Sequence, residues 1–149
     1  MALLAAALVV HSASAESSHR FSATYTGHGA GQIDGARASG TATATGHGNL
    51  MGATSLNGSA HGSFTSPTCV TFSGKATLES PRGSIILTAR DARACVGDPG
   101  APTASFSGHA KVTRGTATFA GARGTLAFKG TYSQADDSVT ISFTGRITY

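Results

Sequence analysis

Eight stretches of this chain alternate apolar and polar residues with a period of two, and that rhythm leaves little but β-structure open to it. The last stretch is the clearest: Val139, Ile141, Phe143, Gly145, Ile147 and Tyr149 alternate with Thr140, Ser142, Thr144, Arg146 and Thr148. Val70 to Glu79 and Leu126 to Tyr132 behave alike, as do Phe21 to Gly27, Gly40 to Thr45, Leu50 to Leu56, Ile85 to Arg90 and Phe106 to Val112. No segment carries a convincing helical period. Strands with one apolar and one polar face each cover one shared core. Glycine supplies 20 of the 149 residues and charged residues only 12%, so the chain is rich in turns and β-branched residues and too weakly charged for disorder.

Eight antiparallel strands allow a closed up-and-down barrel or a sandwich of two sheets. The barrel is the expectation, with the sandwich as its alternative. The links at Pro81–Gly83 and Asp136–Asp137 read as hairpins, and closure hides the edges that neutral, Thr-rich strands would otherwise expose.

The first fifteen residues read separately. Ala2 to Val10 is an uncharged apolar run, followed by the small-residue pattern Ala13-Ser14-Ala15. That is the core and cleavage site of a secretory leader, although no Lys or Arg precedes the run. It is too short to span a bilayer, which takes roughly 20 residues, and no other stretch is long enough. The expected organisation is a leader over 1–15, one barrel domain over 16–149, and a secreted or cell-envelope location.

The cysteines agree with export. Cys69 and Cys95 are the only two, and exported proteins oxidise such pairs. The segment between them reads strand, turn, strand, with residue 82 at its midpoint and Gly83 suited to the left-handed place in a three-residue loop. Folding the chain there sets the cysteines opposite each other, and a bridge closing such a loop stabilises by roughly 3 kcal/mol. In that register Glu79 faces Ile85 and Thr77 faces Leu87, which mixes the two faces. A one-residue bulge between turn and bridge reconciles the two signals.

The net charge of +4 comes from eleven scattered basic residues, no two adjacent. Nucleic-acid binders cluster such residues and interleave aromatics, so that partner is not expected. A mild attraction to anionic cell-wall polymers or lipid head groups is the more economical use of the charge.

The run Gly115-Thr116-Ala117-Thr118-Phe119-Ala120-Gly121-Ala122-Arg123-Gly124-Thr125-Leu126 resembles the G-T-G-x-F-x-G-A-x-G signature of the dirigent and allene oxide cyclase-like barrels. In those proteins, as here, the segment precedes the last two strands. The resemblance covers most of the barrel segment in layout but only this run in detail. It departs at Ala117, where the family usually has glycine, and at Arg114, where a second glycine often stands. The resemblance implies an eight-stranded barrel around an apolar cavity, often dimeric or trimeric. Plant members confine a reactive intermediate and steer its cyclisation or coupling, using acids, an Arg or an Asn outside this motif, so no catalytic residue carries over. This chain is most similar to the bacterial exported members that have no assigned activity. The motif itself reads as structural, Phe119 plugging one barrel end while the glycines turn the chain.

Among the few acids, Asp136-Asp137 and Asp98 read as turn residues. Asp91 follows Ile85, Leu87 and Ala89 on an apolar face, so it is the one candidate for an inward, catalytic carboxylate. No nucleophile triad, paired glycosidase acids or nucleotide loop stands out. Four histidines, His28, His47, His61 and His109, each adjoin glycine. In an up-and-down barrel His28 and His61 could share a rim while His47 lies far off. Two ligands make a weak site, so no metal or cofactor is expected.

Three readings remain. In the first, the barrel binds a small apolar molecule, with Phe21, Tyr25, Phe72, Leu87, Phe106, Phe128 and Phe143 lining the cavity. In the second, a filled barrel works through its outer surface at the cell envelope. In the third, a cyclase- or dirigent-like enzyme adds an inward Asp, Arg or Tyr to the cavity.

Overall fold

The computed structural model describes residues 15–149. All but Ala15 of the leader expected over 1–15 therefore lies outside the described residues. The chain forms β1 (Ser18–Asp34), β2 (Arg37–Gly48), β3 (Gly52–Phe64), β4 (Cys69–Ser80), β5 (Gly83–Val96), β6 (Thr103–Gly115), a 3-10 turn (Ala117–Phe119), β7 (Arg123–Ser133) and β8 (Ser138–Thr148). Each strand pairs antiparallel with the next, and β8 pairs with β1 from Ser18↔Thr148 to His28↔Ser138. The sheet is thus a closed eight-stranded up-and-down barrel, not a sandwich.

The strands run further than the alternation does. β1 continues past Gly27 to Asp34, and β3 ends at Phe64 rather than near Leu56, while Leu50 belongs to the β2–β3 turn. In those extensions the inward positions Gly29, Gly31, Gly58, Ala60 and Gly62 carry small side chains, which give almost no contrast with the polar face.

The β4–β5 hairpin bears out the expected bulge. Cys69 faces Cys95 and Phe72 faces Ala92, but Gly74 faces Ala89, so β5 carries one extra residue around Arg90 and Asp91. Below the bulge Leu78 faces Ile85 and Ala76 faces Leu87, which keeps apolar beside apolar. The turn itself is tighter than expected: Ser80 pairs with Gly83, leaving Pro81-Arg82 as a two-residue loop. Gly83 takes φ +137°, and a Cβ there would lie 2.2 Å from Thr116 O, so only glycine lets the turn lie against the 3-10 segment.

The bulge also corrects the reading of Asp91. A one-residue insertion reverses every later side chain, so Ala92 is buried at 1% exposure while Asp91, at φ +54°, faces solvent.

The barrel has two unlike storeys. One end holds the β2–β3, β4–β5 and β6–β7 connections and is packed solid. Phe21, Tyr25, Met51, Leu78, Ile85, Phe119, Leu126 and Ile147 are each almost fully buried there, and Leu56 and Leu87, as deeply buried, top this layer and border the space above it. Side chains of this size contribute roughly 1.5–3 kcal/mol each when removed from water. Phe119 is the plug: its ring stands edge-on to Tyr149 at 5.2 Å, and Tyr149 stacks on His19 at 4.6 Å.

One residue of the plug is strained. Ala117 has φ +52°, the left-handed region that a Cβ disfavours. Ala117→Gly should therefore raise stability by about 0.5–1 kcal/mol, the relief of strain exceeding the added freedom of the unfolded chain. Urea titration of the two proteins measures it. An unchanged or lower midpoint would mean that the left-handed turn carries no strain.

The outer face is hydroxyl-rich, with Thr24, Thr26, Thr43, Thr45, Ser55, Ser142 and Thr140 in adjoining strands. Apolar side chains face in and polar ones face out, the reverse of a barrel that spans a membrane. Among the described residues no helix is long and apolar enough to cross one.

Candidate functional site

The other storey is hollow. A cavity of about 320 Å³ fills the end of the barrel where β1, β3, β5 and β7 finish. Its walls come from positions that keep the inward parity but carry little side chain: Gly29, Gly31, Ala38, Gly40 and Ala42 on β1 and β2, then Gly58, Ala60, Gly62, Gly74 and Ala76 on β3 and β4. The opposite wall is aromatic and aliphatic, formed by Phe72, Phe106, Phe128, Val139, Ile141 and Phe143. The aromatic rings run on from one another, with centroids 6.0–6.5 Å apart from Phe72 through Phe128 to Phe106 and Phe143. Gly130 makes room for this wall: a Cβ there would sit 2.4 Å from the Phe106 ring.

Among the seven residues expected to line a cavity, Phe72, Leu87, Phe106, Phe128 and Phe143 lie on its wall. Phe21 and Tyr25 do not. Both are fully buried in the packed storey beneath, because the barrel floor rises above them. Alternation alone cannot tell one storey from the other.

No inward side chain of the cavity wall carries a charge. Ser39, Thr41, Ser59, His61 and Lys75 adjoin the cavity, but alternation turns their side chains to the outer face. The one inward polar group is Tyr132 at the mouth, which the sequence reading missed. Its ring lies 3.3 Å from where a Gly29 Cβ would stand, and its hydroxyl donates to Asp137 Oδ1 at 2.8 Å. That carboxylate holds the Tyr132 phenol above its ordinary range. Asp137 sits at φ +56° in the β7–β8 turn, whose neighbour Asp136 is held low by the Ser138 hydroxyl and amide. Above the mouth the β1–β2 hairpin projects Ile33 on the same parity as Gly31, 60% exposed.

Tyr25 is the buried polar exception. Its hydroxyl has no hydrogen-bond partner among the described residues, and burial pushes its phenol from 10.0 up to about 12. Thr54 stands beside it and offsets that rise only in part, since Thr54 Oγ1 donates to Gly52 O at 2.8 Å. Below pH 10 the phenol is protonated whether folded or not. Between pH 10 and 12 the unfolded chain ionises first, so the folded state loses about 2–3 kcal/mol. Tyr25→Phe should escape that loss and match wild type at pH 7, because the hydroxyl it removes is unpartnered. Urea midpoints at pH 7 and pH 11.5 check it. Parallel losses in both proteins would mean that the phenol ionises freely in the fold.

The remaining candidates do not converge. His28, His47, His61 and His109 are all exposed on the outer face, on β1, β2, β3 and β6. His28 lies opposite Thr43 and His61 opposite Ser39, so their levels on β2 differ by four residues. Among the described residues no three metal-ligating side chains come together. Cys69 and Cys95 form a disulfide on the outer face, their Cα atoms 4.2 Å apart, with Arg93 Nε 3.3 Å from Cys95 Sγ. Comparison with protein-family models, curated protein sequences and solved structures returned no match to the chain.

Proposed function

We propose that this is an exported barrel that binds one compact apolar molecule through its open end. The observation that carries the reading is the wall chemistry: a space open at one end of the barrel whose inward side chains are apolar throughout, save one hydroxyl at the mouth. Its volume of about 320 Å³ falls at the lower end of the range of small-molecule sites, which suits a ligand of about one ring system. Small residues line half the wall, where a protein that only needed a stable core would place Leu or Ile. Ile33 offers an apolar lip for entry, and the Tyr132 hydroxyl offers a single polar anchor. The disulfide fits an oxidising compartment, as does the leader expected over 1–15.

This reading is favoured over an envelope protein with a filled core by the cavity, and over a cyclase- or dirigent-like enzyme by the wall. Confining a molecule needs only the cavity, whereas steering bond formation needs an inward acid or base. Asp91 is outside, Tyr25 is buried beneath the cavity, Tyr132 stands at its rim, and Tyr149 packs on Phe119 at the far end. The resemblance to the dirigent and allene oxide cyclase-like barrels supports the apolar interior and adds no reactive group.

Native mass spectrometry of the protein purified without detergent tests the reading. Extra mass that leaves on denaturation, replaceable by an apolar competitor, is the expected result. A clean mass that takes up no apolar compound at saturating concentration would favour the outer surface as the working part.

A further inference from the structure

We propose that the outer face of β6, β7, β8 and β1 at the packed end is a docking site for a linear phosphate polymer that carries no bases. It is independent of the cavity and uses residues the cavity does not. Arg20 stands directly opposite Arg146 across the β1–β8 pair. Arg146 stands opposite Thr125 on β7, and Thr125 opposite Lys111 on β6. The four form one row perpendicular to the strands, about 14 Å long at a strand spacing of about 4.8 Å. All four are exposed. Arg114 on β6 and Arg123 and Lys129 on β7 flank the row, so six of the eleven Lys and Arg residues, scattered in sequence, gather on one face.

The arrangement is poorly explained by stability. Like charges directly opposite each other weaken a sheet, and Arg20–Arg146 is the only such pair among the described strand pairings. Elsewhere the sheet does the opposite, setting Asp34 against Arg37. The one acid on this face, Glu16, is engaged by Arg123. Asp98, Asp136 and Asp137 sit in turns at the other end of the barrel. Arg146 is held in place by Ser18, donating from Nε to Ser18 Oγ at 3.1 Å, while the Arg20 side chain makes no hydrogen bond among the described residues.

The chemistry names the partner. Guanidinium groups present paired N–H donors that match phosphate oxygens, and two side by side with Thr125, Thr144 and Ser18 hydroxyls suit consecutive phosphates on a chain. A nucleic acid would need stacking platforms, and no Phe, Tyr or Trp faces outward from these four strands.

Inorganic polyphosphate of defined length, titrated calorimetrically against the disulfide-bonded protein over a salt series, is the test. Wild type should bind with a log–log salt slope of about −3, from counterions released by three to four cations. Arg20→Gln/Arg146→Gln should weaken binding at least tenfold and cut the slope by about two. Arg37→Gln/Arg90→Gln, which removes the same charge elsewhere, should stay within twofold. The patch variant should melt no lower than wild type. Equal weakening in both variants, no binding at low salt, tighter binding to single-stranded DNA of matched charge, or a patch variant that melts lower would each overturn the proposal.

Discussion

Phe21→Ala should cost about 3–5 kcal/mol of folding stability, whereas Phe72→Ala should cost less than about 2 kcal/mol. The two residues have the same side chain and the same inward parity. They differ in storey. Phe21 is fully enclosed near Phe119 and Ile147, so truncation leaves a void that closed strands cannot collapse. Phe72 already borders the cavity, with its nearest ring partner, Phe128, at 6.4 Å. Truncation there enlarges a space that exists and forfeits fewer contacts. Urea unfolding at pH 7 separates the two. Equal costs would mean that the open end is packed as tightly as the closed one.

Removing the bridge with Cys69→Ala/Cys95→Ala should lower stability by about 3–4 kcal/mol and the melting temperature by roughly 10 °C. The bridge closes a loop of 26 residues, and most of its effect is on the unfolded chain. It also ties β4 to β5 beside Val70, Phe72 and Ala94 on the cavity wall. The variant should therefore bind apolar ligands more weakly than its lowered stability alone explains. Calorimetric melting, with and without reductant on wild type, gives the first effect. A loss under about 1 kcal/mol would show that the β4–β5 pairing and its bulge hold the hairpin unaided.

How much of this was legible differs from residue to residue, for physical reasons. Val139 to Tyr149 announced both faces of β8, because Ile, Phe and Val at alternate positions contrast with Thr and Ser. The separation of Cys69 from Cys95 and the polarity of Thr77 and Leu87 could be satisfied together only by a bulge, and the bulge was found. Asp91 was misplaced because the position of that bulge was unknown, and a slip of one residue reverses the face. The cavity was the harder matter. In one dimension the glycines within the apolar faces fit either sharp barrel bends or a close approach between facing walls, and Gly29, Gly31, Gly58 and Gly62 lie beyond the stretches that alternate. Whether strands lined by glycine approach each other or enclose a hollow depends on the barrel radius, which closure of all eight strands sets. Tyr132 was visible as an alternating residue, but its place at the mouth depends on β1 running beyond the start of β8.

The most direct measurement is a fluorescence titration with N-phenyl-1-naphthylamine, comparing wild type with Ala60→Phe. Ala60 lies on the cavity wall between Gly40 on β2 and Gly74 on β4, so a ring there has room to stand and fills the space a ligand would use. The account predicts saturable dye binding by wild type, at least tenfold weaker binding by Ala60→Phe, and a melting temperature no lower in the variant. Equal binding by both folded proteins, or none by wild type, would contradict it.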